Sequence, residues 1–253
     1  MVAIMSHPKG SVDSEYLQLV AGIVTQHKQR TYALMRIEIG HKVLDVGCGP
    51  GTDTIPLAQL VGAAGQVVGA DHDVAMIAEA DQRSEEAGVS AWVKHRHADA
   101  VSLPFESGYF DSSRSERLFQ HLSSPERALS EMVRVTKSGG WIVVLDTDWS
   151  TMSVDTAEVE IEQRLKRFWT EQSLHNGFAG RQLYRPLKQQ RLKDVSVEMC
   201  PICVTDYGVH RRGASLDKVE RDALPAGIVT GDELQRWHAS LEQADAEGVY
   251  FPV

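Results

Sequence analysis

Val43-Leu44-Asp45-Val46-Gly47-Cys48-Gly49-Pro50-Gly51-Thr52 is the stretch whose reading decides the fold. Its apolar run (Val43, Leu44, Val46) has the composition of a buried parallel strand and stops abruptly in glycines. Beyond them, Thr54-Ile55-Pro56-Leu57-Ala58-Gln59-Leu60 takes up helical spacing. Strand, glycine turn and helix make the first half of a nucleotide-binding βαβ unit. Such glycines permit positive φ and leave no Cβ where a ligand lies against the backbone. The N–H groups at the start of the helix can hold a polar or anionic group.

The glycine spacing narrows the class. Gly47, Gly49 and Gly51 read G-x-G-x-G, whereas the dinucleotide fingerprint is G-x-G-x-x-G, and Thr52 stands at the further position. Over Leu44–Gly51 the chain resembles the class I S-adenosylmethionine-dependent methyltransferases, and in the order of its motifs and in the segment Glu116–Leu122 it is most similar to the ubiquinone/menaquinone-type small-molecule enzymes. The resemblance implies an α/β fold: a Rossmann-like, doubly wound, mostly parallel sheet with flanking helices and an N-terminal helical cap. A single domain is expected over residues 1–253, with the cap at 1–40, the cofactor core at 41–150, a helical lid or substrate segment at 151–192, and a strand and helix region at 193–253. It also implies S-adenosylmethionine as cofactor, lined by Asp45, Gly47, Gly49 and Gly51.

Composition limits the partners. The chain has 253 residues, 42% hydrophobic and 24% charged, ordinary for a globular protein. With 35 acidic against 26 basic residues the formal net charge is −9, which disfavours broad binding to nucleic-acid phosphates. A small-molecule methyl acceptor is expected, with no nucleic-acid or membrane partner, in a monomer or homodimer. Three cysteines cannot build a disulfide framework, so a reducing cytoplasm is expected. Cys200-Pro201-Ile202-Cys203 is formally C-x-x-C, yet no second pair completes a zinc site, and it falls in a strand-like run from Val195 to Thr205. Met1–Gly10 lacks the apolar core of a signal peptide, and no apolar run approaches the roughly 20 residues of a membrane span.

Residues 1–12 read as a loose leader. From about Ser14, the pattern Tyr16, Leu17, Val20, Ile23, Val24 predicts an amphipathic helix, and a second follows through Leu34, Met35 and Ile37. Between them lies Gln26-His27-Lys28-Gln29-Arg30. By the resemblance, Tyr16, Lys28 or Arg30 reaches the cofactor's methionine end; a solvated basic turn is the alternative.

Gln66-Val67-Val68-Gly69-Ala70-Asp71 predicts a second strand ending in an acid, about 20 residues past the glycines, where a carboxylate accepts from both ribose hydroxyls. The alternative for Asp71, a helix N-cap, suits Asp73 better. His72 is counted with the cofactor site, and Met76 packs under the adenine or in the core. His95 and His97 share a strand face, which invites a metal; without ligands at suitable spacing they read as surface histidines. Asp99-Ala100 before Leu103-Pro104-Phe105 resembles the family's acidic motif at the adenine, with a plain turn as the alternative for Asp99.

The fourth strand, Tyr109–Ser115, is polar where the family's is apolar, which leaves its register open. After it, Glu116-Arg117-Leu118-Phe119-Gln120-His121-Leu122 resembles the segment around the cofactor's methionine. By that likeness Ser115 and Glu116 line the cofactor, while Gln120 and His121 face the acceptor. As a histidine, His121 is the residue type suited to act as a general base near neutral pH, or it caps its own turn. Ser124 and Pro125 predict a helix start, Thr136–Gly140 its end, and Trp141–Leu145 a fifth strand. Asp146 is the second catalytic candidate, and Asp146 and Asp148 either orient a substrate or are hydrogen-bonded turn residues. A further strand is expected over Asp194–Thr205, and only Val249–Val253 is left for a closing one. The rivals are a cofactor-binding protein without methyl transfer (a cyclase or regulatory subunit) and a nicotinamide-dependent oxidoreductase; the glycine spacing disfavours the second.

Overall fold

The computed structural model describes residues 14–252; the expected leader at residues 1–12 and Val253 lie outside the described residues. The strands are β1 (Lys42–Val46), β2 (Gln66–Asp71), β3 (Val93–His97), β4 (Phe110–Glu116) and β5 (Thr136–Leu145). The helices up to β5 are α1 (Ser14–Ile23), α2 (Thr25–Leu34), α3 (Thr54–Val61), α4 (Val74–Glu86) and α5 (Pro125–Val135). After it come α6 (Val159–Phe168), α7 (Ala179–Gln182), α8 (Tyr184–Gln189), α9 (Tyr207–Gly213), α10 (Leu216–Ala223) and α11 (Gly231–Ala246). These form two compact units. A sheet-bearing unit takes Val24–Asp146 and Gly180–Val197; a helical unit takes the described residues up to Ile23, Thr147–Ala179 and Glu198 onward.

In the sheet-bearing unit all four pairings are parallel and the strand order is β3-β2-β1-β4-β5. This is the expected doubly wound α/β architecture. Central β1 and β2 are buried along nearly their whole length, which is why they read as continuous apolar runs. Val43 and Val67 lie in register and join Met35, Leu57, Ala58, Val61 and Val93 in one core.

Strand β4 lies between β1 and β5, and Ser112–Ser115 are all buried. Its polarity is answered locally: Ser112 Oγ donates to Trp141 O at 2.9 Å, and Ser113 Oγ lies 2.8 Å from Thr136 Oγ1, which itself donates to Met132 O. Register with β5 shifts between Phe110 and Ser112.

The helical unit has its own core of Ile161, Leu165, Phe168, Trp169, Val219, Trp237 and Leu241. Buried Glu220 on α10 ties its helices, pairing with Arg211 of α9 at 2.6 Å and accepting Trp237 Nε1–H of α11 at 2.9 Å.

Several expectations are corrected. Gln26–Arg30 is not a turn between helices but lies within α2; the chain breaks one residue after Ile23, at Val24. Thr136–Gly140 does not trail off a helix: α5 stops at Val135, and Thr136 already has extended backbone in β5. The strand expected over Asp194–Thr205 is absent among the described residues. Val197 and Met199 are exposed there, so the alternating pattern has neither a ladder partner nor a face to bury. Toward the C-terminus, an isolated antiparallel bridge joins Val154 and Pro252. Among the described residues no helix is long and apolar enough to cross a membrane.

Candidate functional site

The strand order changes direction at β1, whose neighbours are β2 and β4, and the crevice beyond their C-terminal ends is where open α/β sheets take ligands. The glycine turn enters this crevice from β1. Gly47 has φ +76°, and a Cβ on it would meet the Leu118 side chain at 3.1–3.2 Å. Gly51 also has φ +76°, and its Cβ would meet Ala80 of α4 at 3.1 Å, so both demand glycine twice over.

Asp71 closes the other side of the turn. One carboxylate oxygen accepts Gly49 N–H at 2.8 Å and the other accepts Asp73 N–H at 2.9 Å. A carboxylate has about four acceptor positions, so both oxygens keep capacity for further donors. Asp73 caps α4, accepting from Ala75 N–H and Met76 N–H. The exposed His72 imidazole lies 3.3 Å from Asp71, and Met76 is half-buried. Asp99 is exposed and accepts Val101 N–H at 3.0 Å, while Ala100 is buried.

His95 is not a surface residue. Its Nδ1 lies 2.8 Å from Asp81 Oδ1 and its Nε2 3.0 Å from Thr54 Oγ1, and burial lowers its pKa. Thr54 Oγ1 is also within 3.1 Å of Gly51 O, so this chain of groups buttresses the glycine turn from beneath. His97 is exposed, its Nε2 donating to His72 O.

Under the turn lies a charge cluster that sequence reasoning missed. Arg114 of β4 is fully buried: Nη1 is 3.4 Å from Asp45 and 3.0 Å from Asp53, and Nη2 is 2.7 Å from Glu116. Lys28 of α2 is buried too, 2.7 Å from both Asp53 and Glu116. Tyr32 of α2 donates its hydroxyl to Asp53. Both Glu116 oxygens are thus taken by cations, and Lys28 is committed to the cluster. Arg30 is exposed on α2, and in the helical unit Tyr16 donates to Gly213 O. The one available signal was an arginine in the middle of a buried strand, which requires carboxylates around it.

Burial pushes the Asp45 carboxyl up to about 7 despite the opposing Arg114 charge. Burial also works against ionisation of Asp53, but Arg114 and Lys28 outweigh it and hold that group at about 2. The Asp45 shift gives a stability prediction with a definite sign. Between its ordinary value of 3.8 and about 7 the folded chain holds a proton that the unfolded chain releases, so this group weakens folding as pH rises through that window. Asp45→Asn should therefore gain about 2–3 kcal/mol in urea unfolding relative to the natural chain between about pH 5 and pH 8. Parallel pH profiles for the two proteins would remove the assignment.

Past β4, Phe119–His121 forms a single 3-10 turn. Asp146, at the end of β5, accepts Phe119 N–H at 2.7 Å and so anchors this turn. Half-buried His121 ends it, its own N–H bonded to Leu118 O at 2.9 Å. Gln120, expected to face the acceptor, is buried and donates to Arg117 O at 3.1 Å. Asp148, in the helical unit, accepts from Ser150 N–H and Oγ–H. The polar groups of this crevice thus come from the ends of β1, β2, β4 and β5, an arrangement suited to an extended ligand with separate polar ends.

Comparison with known proteins agrees with this fold. A methyltransferase domain family matches residues 44–144. An uncharacterised protein of transposon Tn4556 from Streptomyces fradiae is 32% identical over 198 residues, covering 78% of this chain and 56% of that one. Demethylmenaquinone methyltransferase of Bacillus cereus is 35% identical over 125 residues, covering 49% of this chain and 52% of that enzyme. The chain spans about half the length of these curated relatives. Among solved structures, the YcgJ protein of Bacillus subtilis shares the fold with a TM-score of 0.57 at 20% identity, covering 79% of this chain and 81% of that one.

Proposed function

Residues 44–144 match a methyltransferase domain family, and we propose that the protein is a class I S-adenosylmethionine-dependent methyltransferase that transfers a methyl group to an oxygen, nitrogen or carbon nucleophile of a small-molecule acceptor. The observation that carries this reading is the Asp71 carboxylate at the end of β2, bonded to Gly49 N–H of the glycine turn and still able to accept from a vicinal diol. The crevice fits the cofactor in two further respects. Gly47 leaves open a place that a Cβ could not share with Leu118, and Ser115 Oγ at the end of β4 is buried without a hydrogen-bond partner.

In this reading Asp71 accepts from both ribose hydroxyls, with His72 beside it. Asp99 and the backbone of Ala100 meet the adenine, and Met76 packs near the ring. Asp45 and Glu116 act one layer down, holding Arg114 and Lys28 and through them the floor of the crevice. When bound, S-adenosylmethionine supplies an electrophilic sulfonium methyl and leaves as S-adenosylhomocysteine. The protein's part is alignment of the acceptor and exclusion of water, which together can supply several kcal/mol. His121 takes the acceptor's proton, and Asp146 acts by holding the turn that presents it.

The net charge of −9 supports a small or neutral acceptor over a polyanion. The relatives named demethylmenaquinone methyltransferase justify a hydroquinone among the candidates. The test is transfer of labelled methyl to a panel of phenols, hydroquinones, amines and stabilised carbon nucleophiles. With the acceptor so found, His121→Ala should lower turnover about 10²–10⁴-fold while cofactor affinity stays unchanged. Near-normal turnover would return His121 to a structural role, and cofactor binding without transfer to any acceptor class would favour a binding protein over an enzyme.

A further inference from the structure

His95 has no part in the proposed methyl transfer, yet the fold makes room for it. Its side chain is fully buried on β3, opposite Gly69 of β2. A Cβ on Gly69 would lie 2.7 Å from both His95 Cδ2 and Cys48 Sγ, closer than real Cβ atoms come. Only glycine there lets the imidazole sit between the sheet and the glycine turn.

The hydrogens along this chain of contacts can be counted. Thr54 Oγ1 carries one hydrogen and lies 3.1 Å from Gly51 O, which can only accept. The same hydroxyl lies 3.0 Å from His95 Nε2. Both contacts are hydrogen bonds at once only if Nε2 carries a hydrogen and donates to Thr54. His95 Nδ1 lies 2.8 Å from Asp81 Oδ1, and that contact needs a hydrogen of its own, on the nitrogen or on the carboxyl. The His95–Asp81 pair must therefore hold two hydrogens for all three bonds to coexist. With one fewer, Nδ1–H donates to the Asp81 carboxylate and Nε2 becomes an acceptor. The Thr54 hydroxyl then turns to His95 and leaves Gly51 O.

The surroundings set when the second hydrogen is held. Burial, the largest effect, lowers the His95 pKa from its ordinary 6.5, Asp81 of α4 opposes it, and Lys94 on the same strand adds to it. No titratable residue comes from α3, and β2 carries only Asp71, level with His97. The neighbouring Cys48 thiol is pushed up by burial and stays neutral. On α4, Glu79 faces Arg83 at 3.9 Å, and Glu85 and Glu86 are exposed. On β3, Arg96 and His97 are exposed. The exchange therefore falls in mildly acid solution, below pH 6.5.

We propose that His95 is a positioning residue for the cofactor, acting through Thr54 to fix the Gly51 end of the glycine turn when the His95–Asp81 pair holds its second hydrogen and releasing it when that hydrogen leaves. The inference rests on the methyltransferase reading for the identity of the ligand, and on the three contacts alone for the relay. Cofactor affinity then rises as pH falls, and by reciprocity cofactor binding draws a proton onto the pair.

The test is calorimetric titration of S-adenosylhomocysteine between about pH 5 and pH 8 into the natural chain, Thr54→Val, Thr54→Ser and Asp81→Asn. The natural chain should bind about 2–10-fold more tightly at the acid end, the worth of one hydrogen bond. Thr54→Val keeps the shape but cuts the relay, so its profile should lose that rise. Thr54→Ser restores the hydroxyl and should restore the rise. Asp81→Asn changes a half-exposed side chain that favours the second hydrogen, and should move the rise to lower pH. The exposed His72 beside Asp71 contributes alike to all four proteins, so the differences between profiles are what is read. Parallel profiles for the natural chain and Thr54→Val would overturn the proposal, because a histidine that only fills space has nothing for Thr54 to transmit. Failure of S-adenosylhomocysteine to bind the natural chain at any pH would overturn the methyltransferase reading instead. The relay is then read without ligand by nuclear magnetic resonance. The Thr52 amide, whose peptide group includes Gly51 O, should titrate in step with the His95 imidazole in the natural chain and not in Thr54→Val. A Thr52 amide indifferent to His95 would overturn the relay.

Discussion

Arg114→Met should be the most destabilising single substitution in the buried charge cluster of the sheet-bearing unit. In the natural chain this guanidinium is the hub between Asp45, Asp53 and Glu116, and it is fully buried. Methionine fills much of the same volume, so the loss is one of charge more than packing. It leaves three buried carboxylates facing Lys28 alone among the cluster's own cations. Removing one partner from a buried ion pair typically costs about 3–5 kcal/mol, against a total stability of about 5–15 kcal/mol for a natural domain. Here one residue serves three partners, so the upper part of that range is expected. Urea unfolding followed by circular dichroism measures it, and a change under about 1 kcal/mol would show that the cluster is not held by its arginine. The double variant Asp45→Asn, Arg114→Met should recover part of the loss. It removes the carboxylate that burial already pushes towards its neutral form.

Asp71→Ala should have the largest effect on cofactor affinity. Two contributions combine. In the proposed site the ribose would lose two hydrogen bonds to a charged acceptor, each worth about 1.5–3 kcal/mol. The glycine turn also loses the acceptor of Gly49 N–H, so the loop must be ordered at the moment of binding. The first contribution alone predicts a loss of about 10²–10⁴-fold in affinity for S-adenosylhomocysteine by calorimetry. Asp71→Asn, which can still accept from one donor, should fall between the two. An affinity within about threefold of the natural chain would mean that Asp71 is only a brace of the turn.

How much was legible follows from the range of each interaction. The β1, glycine turn and α3 sequence could be read because every determinant lies within about twenty residues: an apolar run, glycines at positions needing positive φ, and helical spacing beyond. The Asp73 cap was legible for the same reason. Polar β4 could be seen only as an anomaly. Its explanation needs Lys28, Asp45, Asp53 and Arg114 in one place, and no local pattern joins residues that far apart. His95 shows a similar gap, since an edge strand read in isolation hides Asp81 and Thr54 beside it.

Val195–Thr205 failed in the opposite direction. Its alternation is a good strand signal, but a strand exists only where another strand accepts its hydrogen bonds. The two units were also beyond local reading, because each is assembled from separated segments of the chain. Among the site residues, the sequence pointed to Glu116 as a cofactor ligand, whereas its carboxylate is occupied by Lys28 and Arg114.

The central claim is that this crevice takes an adenosyl amino acid sulfonium and not a dinucleotide. Thermal unfolding with S-adenosylmethionine, S-adenosylhomocysteine, NADH and NADPH in parallel tests it most directly. A ligand at about 100 times its Kd adds about 2.7 kcal/mol of stability, a rise of several degrees for a chain of this size. The expected result is a rise with both adenosyl compounds and none with either nicotinamide. A rise with a nicotinamide and none with the adenosyl compounds would contradict the account.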